Sequence, residues 1–387
     1  MANFNMVGKI VPVRDTESFK GYEEKVFDKS GWMTQRLRFN FIAGTNRHLI
    51  EINAGKWKDD SKNSVVYTYS KAEEGKKSEP IQIKWDKRND PSEIEKVAGS
   101  RIFTVDTDTY QHRQELEKQK KEAIDNNDDA KVLEISEAIE TSKKKCKHFI
   151  AGCDFLDFAR KVVYNDKIKD WTFRIRGNVN YSYSEKTGEY YVNYEVQKIY
   201  RVDESVEPTS EINMSFFFAE DAVNSSDYDE TGKAIVSGWT PFYDNNTKKS
   251  WFCPISLVLR GDTDENGKKK LAVWKKVFNK FEDDEIRKIN LSCQKIDGAE
   301  KTDIKLEDLS EEVQERIAAG LVSEAEAKRD AGGQMLGDRI QEIRLEKLGR
   351  GSSKGSETTT YTVEDCEAKP HKEEEKVNIF DDEEDII

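Results

Sequence analysis

The residues able to cut, transfer or hold a metal are present but scattered. His48, His112, His148 and His371 stand in no ligand spacing, and Cys146 with His148 is a lone pair that no second pair faces. There is no GxSxG elbow and no HExxH helix. "GDTDENGKK" (Gly261–Lys269) begins like a phosphate loop, but its glycines are one residue too far apart and Lys269 stands where Ser or Thr would bind magnesium. The same stretch begins like a calcium loop with Asp262, Asp264, Asn266 and Gly267. Val273 then occupies the twelfth position, where a bidentate Glu belongs. A hairpin turn explains it more simply. Asp227, Asp229 and Gly232 repeat the false start, with Gly238 at position twelve. Acidic residues are too common for a catalytic pair to be picked out. The expectation is a non-enzyme with no metal and no cofactor.

A different chemistry runs through the strands: cations alternating with apolar residues, and aromatics beside them. In "MTQRLRFNFIA" (Met33–Ala43) Arg36 and Arg38 share the polar face, opposite Leu37, Phe39 and Phe41. In "WTFRIRGNVNYSYS" (Trp171–Ser184) Arg174 and Arg176 do the same, opposite Trp171, Phe173 and Ile175. Trp32, Trp57, Tyr67, Tyr69 and Trp85 sit in or beside flanking loops. Cations along a groove with exposed ring faces are what a single nucleic-acid strand needs, and each stacked aromatic is worth ~1–3 kcal/mol. The plain alternative for each arginine is a solvated strand face, and for Tyr181, Tyr190 and Tyr194 a place in the core.

These residues must be positioned by a strand-rich fold. "FNMVGKIVPV" (Phe4–Val13) reads as a buried first strand bent at its central Gly, Met33–Ala43 as a second, and "RHLIEINAG" (Arg47–Gly55) as its hairpin partner after the "GTN" turn. "VVYTYS" and "IQIKW" are shorter strand candidates. Residues Gln114–Lys145 read as a charged helical hairpin, and "CDFLDFARKVV" (Cys153–Val163) as an amphipathic helix. Trp171–Val202 is a long hairpin turning at "SEKTGE". Bent strand, strand, strand, helix, hairpin is the order of the OB-fold, a five-stranded Greek-key barrel, here with the helical hairpin inserted. The organisation read from the chain is an OB domain over 1–202, with its insertion at 114–145. A second strand-rich, OB-like region follows over 209–300, then a helical segment over 306–348 and a disordered acidic tail over 349–387. The second region includes "KLAVWKKVF" as a strand.

Net charge is −13. From Gly351 to Ile387 four Lys face twelve Asp or Glu, so the tail carries 4 − 12 = −8 and the remaining 350 residues only −5. A body so near balance can hold a basic groove. No apolar run is long enough to span a membrane. "MANFNMVGKI" has no secretory pattern, and five cysteines without a CxxC pair argue against a disulfide framework. The expected place is the cytoplasm.

On "MVGKI", on "DWTFRIRGNVNYSYSEKTGEYYVNYEVQKIYRV" and on the ending "FDDEEDII", the chain resembles the single-stranded DNA-binding proteins of bacteria and their phages. The resemblance covers residues 1–202 and the tail. The greater length points to a larger phage-encoded relative, working in the bacterial host cytoplasm. The family tail implies that Phe380, Asp381, Asp382, Glu383, Glu384, Asp385, Ile386 and Ile387 form a tether whose carboxylates mimic the polyanion. Its apolar tip would dock on replication, recombination or repair proteins. A purely solubilising tail is the alternative, and homo-oligomerisation is left open. Two rival functions stand: an OB-fold scaffold that binds protein only, and a nuclease hidden in the middle domain.

Overall fold

The computed structural model describes residues 2–72, 76–278, 285–303, 309–324, 326–327, 334–353 and 355–371. The strands are β1 (Ala2–Pro12), β2 (Tyr22–Phe27), β3 (Trp32–Ala43), β4 (Asn46–Trp57), β5 (Val65–Tyr69), β6 (Pro80–Lys84), β7 (Phe103–Asp106), β8 (Cys146–Phe149), β9 (Thr172–Ser184) and β10 (Glu189–Val202). Beyond them come β11 (Thr209–Phe218), β12 (Val223–Asn224), β13 (Lys233–Asp244), β14 (Lys249–Arg260), β15 (Arg287–Asp303), β16 (Gln334–Leu348) and β17 (Glu357–Thr358). The helices used below are α1 (Tyr110–Asp125), α2 (Asp129–Lys144), α3 (Gly152–Val163) and α4 (Glu265–Phe278).

The first strand organises the molecule. Its residues 2–8 pair antiparallel with β9, and residues 3–7 pair on the other edge with β11. Residues 9–12 leave both and pair with β3. The change of partner falls at Gly8, where a Cβ would stand 2.1 Å from the Ile42 carbonyl oxygen. Only glycine permits that approach. β3 then pairs with β4 over its whole length, and β9 with β10.

The second half repeats this order. β11 pairs with β13 and with β15, β13 with β14, β15 with β16, and β14 runs parallel to β16. A helix follows the third strand of each set: α3 after β4, α4 after β14. The two halves are joined by the β1–β11 ladder and by one further pair, Gly298 with Asn46. One apolar core runs through both, from Phe4, Phe39, Phe41 and Phe173 to Phe216, Phe218 and Phe278.

Four sequence expectations are corrected. "KLAVWKKVF" is not a strand but the body of α4, because Leu271, Trp274 and Phe278 recur at helical spacing and all three are buried. "GDTDENGKK" is therefore a helix start rather than a hairpin turn: the Asp264 carboxylate accepts the Gly267 amide at 2.8 Å. Residues 334–348 are strand, although 306–348 reads as helical. Ile340, Ile343, Leu345 and Leu348 stand three, two and three residues apart, and the ladder shifts register near both ends, so no two-residue period shows in the sequence. The acidic tail does not begin as disorder. β17 pairs with Arg287 and Lys288, Thr362 and Asp365 form a capping box for the short helix Val363–Glu367, and Cys366 is buried. Phe380–Ile387 lie outside the described residues.

His48 of β4 sits buried at the join of the two halves, its Nε2 2.8 Å from Ser210 Oγ of β11. Burial lowers its pKa to about 4. Between pH ~6.5 and 4 the unfolded chain takes up a proton that the folded ring refuses, so stability falls as pH drops through that window, by up to about 3 kcal/mol. Urea unfolding at pH 7.5 and at 4.5 should show a smaller loss for His48→Gln than for the parent. Equal losses would remove His48 from the account.

Candidate nucleic-acid interface

An open trough of about 1080 Å³ runs along β2 and the ends of β3 and β4, lined among others by Lys25, Phe27, Trp32 and Arg36, and also by Tyr22 and the carboxylates of Glu23 and Glu24. Trp32 also lines the neighbouring cavity of about 460 Å³, together with Trp57, Lys62, Tyr67 and Trp85. The two spaces therefore meet at Trp32. Its ring stands edge-on to Trp57 with centroids 5.3 Å apart. Gly55 makes room, since a Cβ there would lie 2.5 Å from the indole of Trp32.

Cations cover the rings along this path. Lys25 lies over Phe27 at 5.1 Å, Arg160 over Tyr22 at 4.0 Å and Lys62 over Trp57 at 5.7 Å. Arg88 lies over Trp85 at 4.0 Å and Arg101 over Tyr69 at 4.8 Å. At exposed sites each pair contributes about 0.5–1 kcal/mol. The path thus alternates flat apolar faces with positive charge. Tyr67 keeps 76% of its surface exposed.

Of the residues expected at the interface, Trp32, Arg36, Trp57, Tyr67 and Trp85 come together here, and Tyr69 lies two residues along β5 from Tyr67. Arg36 stays half exposed, with its Nε donating to Asn53 Oδ1 at 3.1 Å and 3.5 Å from Glu51. Arg38 does not belong with them. Its Nε donates to Glu51 at 2.8 Å, and its Nη1 donates to Glu23 at 2.8 Å and to the Lys20 carbonyl at 3.1 Å. Burial opposes its charge, but the carboxylates of Glu51 and Glu23 outweigh that and raise its pKa. The reading of Arg38 as a phosphate contact is corrected on this ground: the segment before β2 folds over the polar face of β3 and encloses the guanidinium.

Arg174 and Arg176 lie on β9, apart from both cavities. Arg176 Nε donates to Asn5 Oδ1 at 3.2 Å. Arg174 Nε is buried and has no hydrogen-bond partner among the described residues, and burial, then the charge of Arg176, lower its pKa. Lys62, Arg88, Arg101 and Arg160 were not picked out from sequence. Only Arg88 left a local signal there, three residues after Trp85 in a single turn of 3-10 helix.

The outer surface of β13 and β14 differs. Phe217, Phe252 and Trp239 are covered by the chain's own segment 359–366, with Tyr361 edge-on to Phe217 at 5.8 Å and to Phe252 at 4.9 Å. Tyr181 and Tyr194 are likewise committed to packing. Burial pushes the thiols of Cys253, Cys293 and Cys366 up to about 12, which keeps them protonated and poor nucleophiles. Among the described residues no three His, Cys, Asp or Glu converge as a metal site, and no described helix is long and apolar enough to cross a membrane.

No family model matches the chain, and no curated protein matches it in sequence. Among solved structures it is similar to a deletion mutant of the single-stranded DNA binding protein from Thermus aquaticus, at 9% identity and a TM-score of 0.31, over 90% of this chain and 94% of that one. A fit this loose carries no argument about function.

The two arginines of β3 should separate experimentally. Arg38→Ala leaves Glu51 and Glu23 facing each other and should cost ~3 kcal/mol of unfolding free energy. Arg36→Ala should leave stability within ~0.5 kcal/mol. Chemical denaturation of both variants tests this, and a stable Arg38→Ala protein would refute the structural assignment.

Proposed function

We propose that this chain is a sequence-tolerant single-stranded DNA-binding protein built from two OB-type Greek-key barrels in tandem, β1-β3-β4-α3-β9-β10 and β11-β13-β14-α4-β15-β16. The observation that carries the reading is the run of rings from Phe27 through Trp32 and Trp57 to Trp85, Tyr67 and Tyr69, with a cation over most of them. Bases stack on the rings and phosphates meet the cations. Stacking on ring faces does not select one base, which suits a protein that coats whatever strand is exposed. Arg36 is the accessible phosphate contact on β3, and Arg174 with Arg176 form a second cationic point on β9. On this reading the protein works in the cytoplasm, in replication, recombination or repair, and Phe380–Ile387 recruit partner proteins.

A protein-docking role is favoured for one part only. The outer face of β13–β14 is apolar and already accepts a peptide, the chain's own segment 359–366. Protein rather than nucleic acid is the natural occupant there.

Titration with dT oligonucleotides of increasing length tests the main reading. Tryptophan fluorescence should be quenched, and binding should weaken with salt. Arg36→Ala should flatten the slope of log K against log[salt] by ~0.7, one phosphate contact on a single strand. No quenching and no binding at low salt would leave the scaffold reading in its place. Magnesium-dependent cleavage of the oligonucleotide would point to the nuclease.

Deleting Phe380–Ile387 removes five carboxylates that compete for the same groove. Affinity for dT at low salt should rise, and the gain should fade by ~0.15 M salt, where the Debye length is about 8 Å. Ile386→Ser with Ile387→Ser keeps the charges, so DNA affinity should not move while partner recruitment is lost. Weaker DNA binding by the truncated chain would show that the tail is no competitor.

A further inference from the structure

A third cavity lies where the two halves meet. It is an open depression of about 540 Å³, lined by half-buried Asn178 and Gln197 and by exposed Arg101, Asn193, Tyr243 and Asn245, among others. Arg101 is the cation that lies over Tyr69, so this space opens from the end of the aromatic path. Tyr243 and Asn245 come from the β13–β14 hairpin of the second half. On its other side Asn178 follows Arg174 and Arg176 along the same face of β9.

The lining is unusual in its chemistry. Apart from Arg101 it carries no ionisable side chain but tyrosine. The side chains of Asn178, Asn193, Gln197 and Asn245 make no hydrogen bond to any described residue; only Asn180 does, donating to Glu195 Oε2 at 2.9 Å. Each free amide offers donors and an acceptor side by side. Gln197 is also the extra residue of a β-bulge, inserted between Val196 and Lys198 where they pair with Gly177 and Arg176. A bulge breaks the ladder, and it persists where it turns a side chain to a useful direction. Here it turns an amide into the cavity beside Asn178.

We propose that this cavity is a base-reading subsite. It takes an unpaired nucleobase by its Watson–Crick edge, after the strand has left the aromatic path at Tyr69 and before its phosphates reach Arg176 and Arg174. The proposal rests on the single-strand reading above and adds a route from the first half to the second. Stacking along the aromatic path ignores base identity. Paired amide contacts do not, because their donor and acceptor must match the edge they meet. The strand is therefore held without preference over most of its length and sensed at one point.

The test uses the full chain and oligonucleotides of two kinds: dT of increasing length, and the same lengths with abasic nucleotides at either the 5′ or the 3′ end. The variants are Gln197→Ala and Asn193→Ala, alone and together, each checked for an unchanged melting temperature. For the parent, abasic nucleotides at one end should weaken the longer oligonucleotides roughly tenfold. The double variant should bind intact long dT about as weakly as the parent binds the abasic version, and it should not distinguish the two. Oligonucleotides just long enough to fill the aromatic path should bind parent and variants equally. Equal affinity of parent and double variant at every length overturns the subsite and leaves the single-strand reading standing. An equal loss at every length overturns it as a separate continuation of the path. If the parent binds no dT at all, the single-strand reading fails first and the subsite falls with it.

Discussion

One strand bonded on both edges holds this molecule together. Residues 3–7 of β1 lie between β9 and β11, so every backbone donor and acceptor there is used within the sheet. Because β1 and β11 are the first strands of the two repeated sets, their antiparallel ladder places the halves back to back about a local two-fold relation. Phe4 and Met6 of β1, with Ile212 and Met214 of β11, feed the same core. Residues 9–12 of β1 must then reach β3, and the close pass of Gly8 against Ile42 is the cost of that turn. Any larger residue at Gly8 would push β3 away, and the trough over β2–β4 would move with it.

That frame explains why the aromatic path has its shape. β3 and β4 are long enough for Trp32 and Trp57, at opposite ends in sequence, to be cross-strand partners. The hairpin of β5 and β6 stands beside them and brings Tyr67 and Tyr69 alongside. Arg88 is fixed on Trp85 by two hydrogen bonds to Asp154 at the start of α3, 2.7 and 3.2 Å long. Its charge is thereby largely neutralised, so it stiffens the ring more than it attracts a phosphate. Lys62, Lys25 and Arg36 remain more accessible, and they are the better candidates for exchange with solvent counterions.

Much of this was legible in the sequence, and the failures have physical causes. Alternation marks β3 and β9, whose apolar faces pack on the core; along β10 it is broken at Gln197, and Val192 is left exposed. Trp32, Trp57, Tyr67, Tyr69 and Trp85 stand out in the sequence by their place in or beside loops, whereas Tyr22 and Phe27 carry no such signal. Arg38 was misplaced because alternation tells which face a residue takes but not what later covers that face. Here the segment carrying Phe19 and Lys20 does so, with Arg38 lying 4.8 Å over the Phe19 ring. The β16 strand is hidden by the helix-like spacing of Ile340, Ile343, Leu345 and Leu348, and α4 by the short apolar run "LAVW". The amide cavity left no pattern at all. Asn178, Gln197 and Asn245 meet only because the tertiary structure brings β9, β10 and the β13–β14 hairpin to one point.

The two halves share an order of elements but divide their surfaces. The first exposes its β3–β4 face with cations and uncovered rings. The second closes the corresponding β13–β14 face with Tyr361, Val363 and Cys366, and the ladder of β17 on Arg287 and Lys288 anchors that cover. The anchoring has a consequence for the acidic end. The chain leaves its last described residue, His371, beside Trp251 on the second half, their rings 5.7 Å apart. The acidic residues that follow therefore continue from that point rather than from Gly351. A shorter tether raises the local concentration of its charges near any basic surface it can reach and removes it from those it cannot. On the reading proposed above, competition for the aromatic path would require the sixteen residues after His371 to reach from Trp251 to Arg36, a geometric limit that the docked segment sets and the charge count alone does not.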